Sequence, residues 1–220
     1  ISNYKISVNY KLSTTNHSST PLLTAIDYKK FKLVSYLLKK GADVNKQDLY
    51  KRNSIYALME ADNVSEKKLL EIIELLIEYN VDINNIAANN NTALYLALKH
   101  SYFKIAKLLL QHGAVVNVVN IFNSNALHFA CNVAEPSIEI VELILEKGCN
   151  VNQRNTNDNA PIYFSVSKKD SKLAELLLKH GAVVNSKTLF RGLQKRRANS
   201  IRKLFHDIKF YTDQLFKYAI

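Results

Sequence analysis

The side chains able to do chemistry are few, and their spacing joins none of them into a reactive set. The chain has six histidines and two cysteines. A structural zinc site needs closely spaced ligands such as C-x-x-C. Cys131 and Cys149 lack that spacing, and His17, His100 and His206 fall at no metal-ligand distance from Cys, Asp or Glu. No nucleophile elbow, phosphate loop or paired-carboxylate motif appears. The sequence therefore predicts no catalysis, no metal and no cofactor. Both cysteines stand at small-residue positions and read as buried free thiols. Their lack of partners points to a reducing compartment, cytoplasm or nucleus. The densest chemistry is electrostatic. From Lys187 onward nine Lys and Arg face Asp207 and Asp213, giving +7 (9 − 2) of the total +11. Lys195, Arg196, Arg197, Arg202 and Lys203 could grip phosphates of nucleic acid or an anionic membrane surface. The alternative is a solvated face.

The elements that must position these residues repeat. Leu108 to Asn117, LLLQHGAVVN, returns as Leu176 to Asn185, LLLKHGAVVN, 68 residues on (176 − 108). Looser copies run from Tyr36 to Asn45, Leu75 to Asn84 and Leu143 to Asn152. A period of roughly 33 residues marks a stacked repeat architecture. In Lys104 to Leu110 the apolar residues 105, 106, 108, 109 and 110 form a stripe wide enough to be buried on two sides. Gly41, Gly113, Gly148 and Gly181 follow the runs, where a left-handed residue closes a helix. Asn80 takes that place in the second copy. Lys40, His112, Lys147 and His180 precede these stops, where a cationic or polar group suits the negative helix end.

A second signal lies upstream of each run: Thr20-Pro21-Leu22, Thr92-Ala93-Leu94-Tyr95, Asn125-Ala126-Leu127-His128 and Ala160-Pro161-Ile162-Tyr163. Thr and Asn cap helices, and Pro fits the first helical turn. Together the two signals resemble the ankyrin repeat, T-P-L-H-x-A followed by LLL-x-x-GA-D-V-N. The resemblance covers residues 20 to 185 and is poorest at Ser54 to Leu58. It implies an all-α solenoid of helix-turn-helix units with short β-finger loops. It also implies structural roles for His112, His128 and His180, and a protein-binding scaffold, not an enzyme. The abundance of Asn, Lys, Ile and Tyr resembles the usage of viral and intracellular-bacterial or symbiont ankyrin proteins.

In chain order, residues 1–19 read as a partial N-terminal repeat and finger, with Ile6 to Asn9 in the place of GADVN. Residues 20–187 read as five repeats. The second carries about five extra residues near Asp62 to Lys67, expected in the loop between its helices, and the fourth carries two near Pro136. Residues 188–220 read as divergent basic capping helices, since a solenoid end needs a polar outer face. Starting at Ile1, the chain reads as a fragment of a longer protein. No apolar run reaches the roughly 18 residues that span a bilayer.

In such an array the partner-binding candidates are finger tips and exposed first-helix positions that depart from the repeat pattern. These are Tyr50, Arg52, Ile121, Phe122 and Arg154 on fingers, and Tyr28, Lys99 and His100 on first helices. Ile121-Phe122 stands out, because fingers are usually polar there. The expected partner is another protein, a host or cellular regulator, bound by a monomer. A second expectation is a targeting module within a larger effector, for example of the ubiquitin pathway.

Overall fold

The computed structural model describes residues 8–10, 12–14 and 17–184. The basic segment 188–220, with Lys195, Arg196, Arg197, Arg202 and Lys203, lies outside the described residues. A hairpin comes first. β1 (Leu12–Thr14) pairs antiparallel with β2 (His17–Ser19), Leu12 opposite Ser19. Five helix pairs follow: α1 (Pro21–Asp27) with α2 (Phe31–Lys39), α3 (Ser54–Met59) with α4 (Glu66–Glu78), and α5 (Ala93–Lys99) with α6 (Phe103–Gln111). Then come α7 (Ala126–Asn132) with α8 (Ile138–Glu146), and α9 (Ile162–Lys168) with α10 (Ser171–Lys179). The described fold is all-α apart from this hairpin. The chain forms two compact units, Ile1–Ile121 and Phe122–Ile220, holding α1–α6 and α7–α10. In the first, α1 packs on α3, α3 on α5 and α4 on α6. In the second, α7 packs on α9 and α8 on α10. Each pair buries its own stripe: Leu22, Ile26 and Leu38 in the first, Leu94, Ile105 and Leu109 in the third.

First helices are short, and α1, α3, α5 and α7 start at a capping side chain, whereas α9 starts at Pro161, which has none to offer. Leu23 N–H donates to Thr20 Oγ1 (3.2 Å), and Tyr56 N–H donates to Asn53 Oδ1 (3.2 Å). The sequence pattern starts the second repeat at Ser54, but the cap is Asn53, one residue earlier. Ser54 is already helical and buried, and its hydroxyl donates to Val44 O at 2.8 Å. The extra residues of this repeat are only partly loop. Residues 60–65 link the helices, and α4 has 13 residues where α2, α6, α8 and α10 have nine. Ser65 starts the longer helix, its Oγ accepting from Lys68 N–H at 3.3 Å. The added turn brings Glu66 to the start of α6, whose cap residue Tyr102 offers no side-chain bond. Glu66 Oε1 accepts from Lys104 N–H at 3.1 Å, a carboxylate on unpaired helix-terminal N–H groups.

Gly113 (φ +86°) and Asn80 (φ +59°) take the left-handed conformation at the ends of second helices, as the sequence requires. Two further left-handed sites carry no glycine. Lys29, Asn63, Ser101 and Lys169 turn the chain after first helices, and Lys51, Asn90, Asn123 and Asp158 turn it at finger tips, all with φ of +55 to +60°. For a residue with a Cβ this costs about 1–2 kcal/mol, least for Asn and Asp. Lys51→Gly should therefore raise the unfolding midpoint, by about 1 kcal/mol less the entropy a glycine adds to the unfolded chain. Urea titration reads this directly. Asn90→Gly should gain less.

Candidate functional site

The fingers are built by side-chain-to-backbone bonds. Asp48 Oδ1 accepts from Tyr50 N–H (2.9 Å) and Arg52 N–H (3.0 Å), while Asp48 N–H donates to Arg52 O (3.2 Å). Asn155 repeats the arrangement on Asn157 N–H and Asn159 N–H in the second unit. A short acceptor side chain bonding its own backbone a few residues on is the mechanism that favours Asp and Asn in turns. Neighbouring tips are then tied by single main-chain bonds: Ala88 N–H to Tyr50 O, Ile121 N–H to Asn89 O and, in the second unit, Thr156 N–H to Phe122 O. The sequence led to an expectation of short β-fingers. These tips join one bond at a time, and among the described residues β1–β2 alone is a paired strand hairpin.

Three of the asparagines that end a repeat motif are clamps. Asn84 Nδ2 donates to Gly113 O (3.0 Å) and its Oδ1 accepts from Val115 N–H (2.8 Å). Asn45 does the same to Asn80 O and Asp82 N–H, and Asn152 to Gly181 O and Val183 N–H. One amide thus satisfies a carbonyl and an N–H flanking the helix stop of the next repeat, and the Asn recurs because both a donor and an acceptor are needed there.

The predicted site residues fall on this frame unequally. In the first unit Tyr28 ends α1 and is exposed, as are Tyr50, Ile121, Lys99 and His100. The His100 ring stacks on Tyr102, with centroids 5.6 Å apart. Arg52 is different. Its guanidinium donates to Asp48 Oδ2 (2.7 Å), to both oxygens of Asp27 (3.3 and 3.2 Å) and to Glu60 Oε2 (3.2 Å). Burial opposes its charge, but the Asp48 hydrogen bond and the Asp27 and Asp48 carboxylates outweigh it and hold the pKa above its ordinary value. Arg52 is a strut joining the finger to the ends of two first helices. In the second unit Phe122 is 59% exposed. Arg154 bonds Asp158 through Nη1, to the backbone O at 3.0 Å and Oδ1 at 3.2 Å. Leu49, at 66% the most exposed large apolar side chain on a described finger, is not among the residues that the sequence pattern singles out. The signal was available, because Leu49-Tyr50 occupies the same finger positions as Ile121-Phe122.

The histidines and thiols near the repeat motifs are structural. His112 and His180 donate Nδ1–H back to the carbonyls of Leu108 and Leu176. His128 is buried. Its Nε2–H donates to Asn159 O (3.0 Å), and Nδ1 accepts from Asn125 N–H (3.3 Å) beside Asn125 Oδ1, closing a capping box. Burial holds its pKa below the ordinary value, against the pull of the Asn159 bond. The unfolded chain takes up this proton near pH 6.5 and the folded chain only at lower pH. This contribution to stability is therefore full above about pH 6.5 and is lost as pH falls toward the folded pKa. Melts at pH 7.5 and 5.5 should show the loss, and His128→Gln should make the profile flatter. Cys131 and Cys149 are buried free thiols. Burial raises both, Cys149 to about 11, which keeps them unreactive. Lys168 Nζ donates to Cys131 O (2.7 Å) and to Val133 O, supplying a cation at the end of α7. Among the described residues no group of three His, Cys, Asp or Glu could hold a metal ion, and no helix is long and apolar enough to cross a membrane.

Tied helix pairs, left-handed stops and bonded finger tips define a helical repeat protein. The chain belongs to the ankyrin repeat family. The family model for ankyrin repeats in three copies matches residues 51–120 and 114–188, and the single-repeat model matches 17–49. Among similar proteins, an ankyrin repeat protein of fowlpox virus (strain NVSL) is 31% identical over 164 residues, 72% of this chain and 47% of that protein. Phosphocholine transferase AnkX of Legionella pneumophila is 29% identical over 195 residues, 83% of this chain and 20% of that protein. The 26S proteasome regulatory subunit p28 of Saccharomyces cerevisiae is 27% identical over 166 residues, 74% of this chain and 71% of that protein. The chain thus spans less than half of the first two. An ankyrin array is a protein-interaction module, and the family is generally non-catalytic.

Proposed function

We propose that this array recognises a host or cellular regulatory protein through its finger tips and the exposed ends of its first helices. One observation carries the reading. The tip positions present exposed apolar side chains on backbone already held in place, Leu49-Tyr50 by the Asx bonds of Asp48 and a tip-to-tip bond, and Ile121-Phe122 by tip-to-tip bonds. Aromatic anchors on a pre-organised frame lose little entropy on binding, which is what makes hot spots. Tyr28, Lys99 and His100 supply the helix-end contacts and Arg154 the second unit's charge. Arg52 enters as the strut that sets the first finger.

The test is a pull-down from nuclease-treated eukaryotic cell extract, washed at high salt and read by mass spectrometry, with the parent and Phe122→Ala side by side. The expected result is a defined protein retained by the parent and lost with Phe122→Ala, while the Tm of the variant falls by no more than a degree or two. A large drop in Tm would make Phe122 a packing residue. Binding that follows nuclease treatment or salt, and depends on Arg196 and Arg197, would move the working surface to the basic segment and to nucleic acid or an anionic membrane. The share of the Legionella transferase that this chain matches favours a second reading, in which the array is the targeting module of a longer effector.

A further inference from the structure

We infer that the outer face of the first helix pair is an open repeat interface that receives one further helix pair of the same type, joined ahead of Asn9. Leu33 of α2 is 45% exposed. The residues in its register on the other second helices, Ile72, Ile105, Ile140 and Leu173, are 4%, 0%, 1% and 0% exposed. Ile105 lies on α6, which packs on α4, and Leu173 lies on α10, which packs on α8. The same register on α2 has no helix over it among the described residues. Tyr36 shows the same pattern. It is 56% exposed, with Lys40 Nζ 5.7 Å from its ring centre, where Leu75, Leu108 and Leu176 are half-buried.

Asn9 fixes what belongs there. Its Nδ2 donates to Gly41 O (3.2 Å) and its Oδ1 accepts from Asp43 N–H (2.8 Å). This is the clamp that Asn45, Asn84 and Asn152 make, and each of those ends one repeat while holding the next. Val8-Asn9 therefore closes a repeat, and the surface beside it is shaped for that repeat's helices. Charge refines the occupant. α2 carries Lys32 and Lys39, with Lys29, Lys30 and Lys40 at its ends, and no acid. A helix seating on Leu33 and Tyr36 should have a leucine-rich seam flanked by carboxylates.

The experiment fuses a designed helix pair of that composition ahead of residue 8 of the full chain. Thermal unfolding and amide exchange of α2 are then compared with the parent, each with and without Leu33→Glu. The expected result is a Tm raised by at least about 4 °C, with slowed exchange across Leu33 to Tyr36. Leu33→Glu should leave the parent's Tm within about 1 °C, because its side chain is half in water, and should abolish the gain in the fused chain. An unchanged Tm on fusion would overturn the proposal, as would an equal effect of Leu33→Glu in both backgrounds. If the parent instead dimerises by light scattering and Leu33→Glu prevents it, the face is an interface between copies and the proposal also fails.

Discussion

Leu109→Ala should destabilise the first unit by about 2–5 kcal/mol, the range for a fully buried leucine truncated to a methyl. Leu109 is 0% exposed, on a helix packed against both α4 and α5. The loss should not stay local. A repeat array is stabilised by its own pairs and by nearest neighbours, so a cavity in one pair weakens the interface it shares with the next. Urea titration by far-ultraviolet circular dichroism should show an earlier midpoint. Leu108→Ala, one residue away and only half-buried, should cost clearly less. If both variants unfold together, the helix is rotated from the position described.

Arg52→Met is the second large effect, at about 2–3 kcal/mol. Three carboxylates surround the guanidinium, but they do not count equally. The side chains of Asp27 and Glu60 are 36% and 39% exposed and regain water when the cation leaves. Asp48 is 5% exposed and keeps only the backbone donors Tyr50 N–H and Arg52 N–H. A buried charge stripped of its counter-ion is what makes the change costly, so neutralising that charge should repair it. Asn155 holds the equivalent turn of another finger as an amide, so Asp48→Asn preserves the turn geometry. The double variant Arg52→Met with Asp48→Asn should recover at least half of the lost stability. A double variant no better than Arg52→Met alone would place the cost in lost side-chain packing.

The family and the order of elements could be read from local chemistry because the repeat writes them in residue types. Leucine stripes, capping Thr and Asn, and Gly41, Gly113, Gly148 and Gly181 each act within a few residues of where they stand. Other features are not written in local residue types. The left-handed turns at Lys29, Ser101 and Lys169 follow from helix-to-helix geometry and are paid in backbone strain, with no glycine to mark them. The extra residues of the second repeat were expected in a loop. Ser65 caps instead, and Glu66 finds its partner on α6, outside residues 60–67. In the sequence Arg52 reads as a contact residue, because Asp27, one of its counter-ions, lies 25 positions away. Among the finger candidates the aromatic residues stood out by type, whereas Leu49 needed the alignment of one finger on another.

The clamp made by Asn45, Asn84 and Asn152 touches its neighbour only at main-chain atoms. It therefore places no demand on the neighbour's side chains beyond a helix stop. Units joined this way can be duplicated, deleted or exchanged by recombination without a compensating change across the joint. The near-identity of residues 108–117 and 176–185 is the kind of trace such copying leaves. Diversity can then accumulate at the finger tips, where new specificities arise while the joints stay as they were.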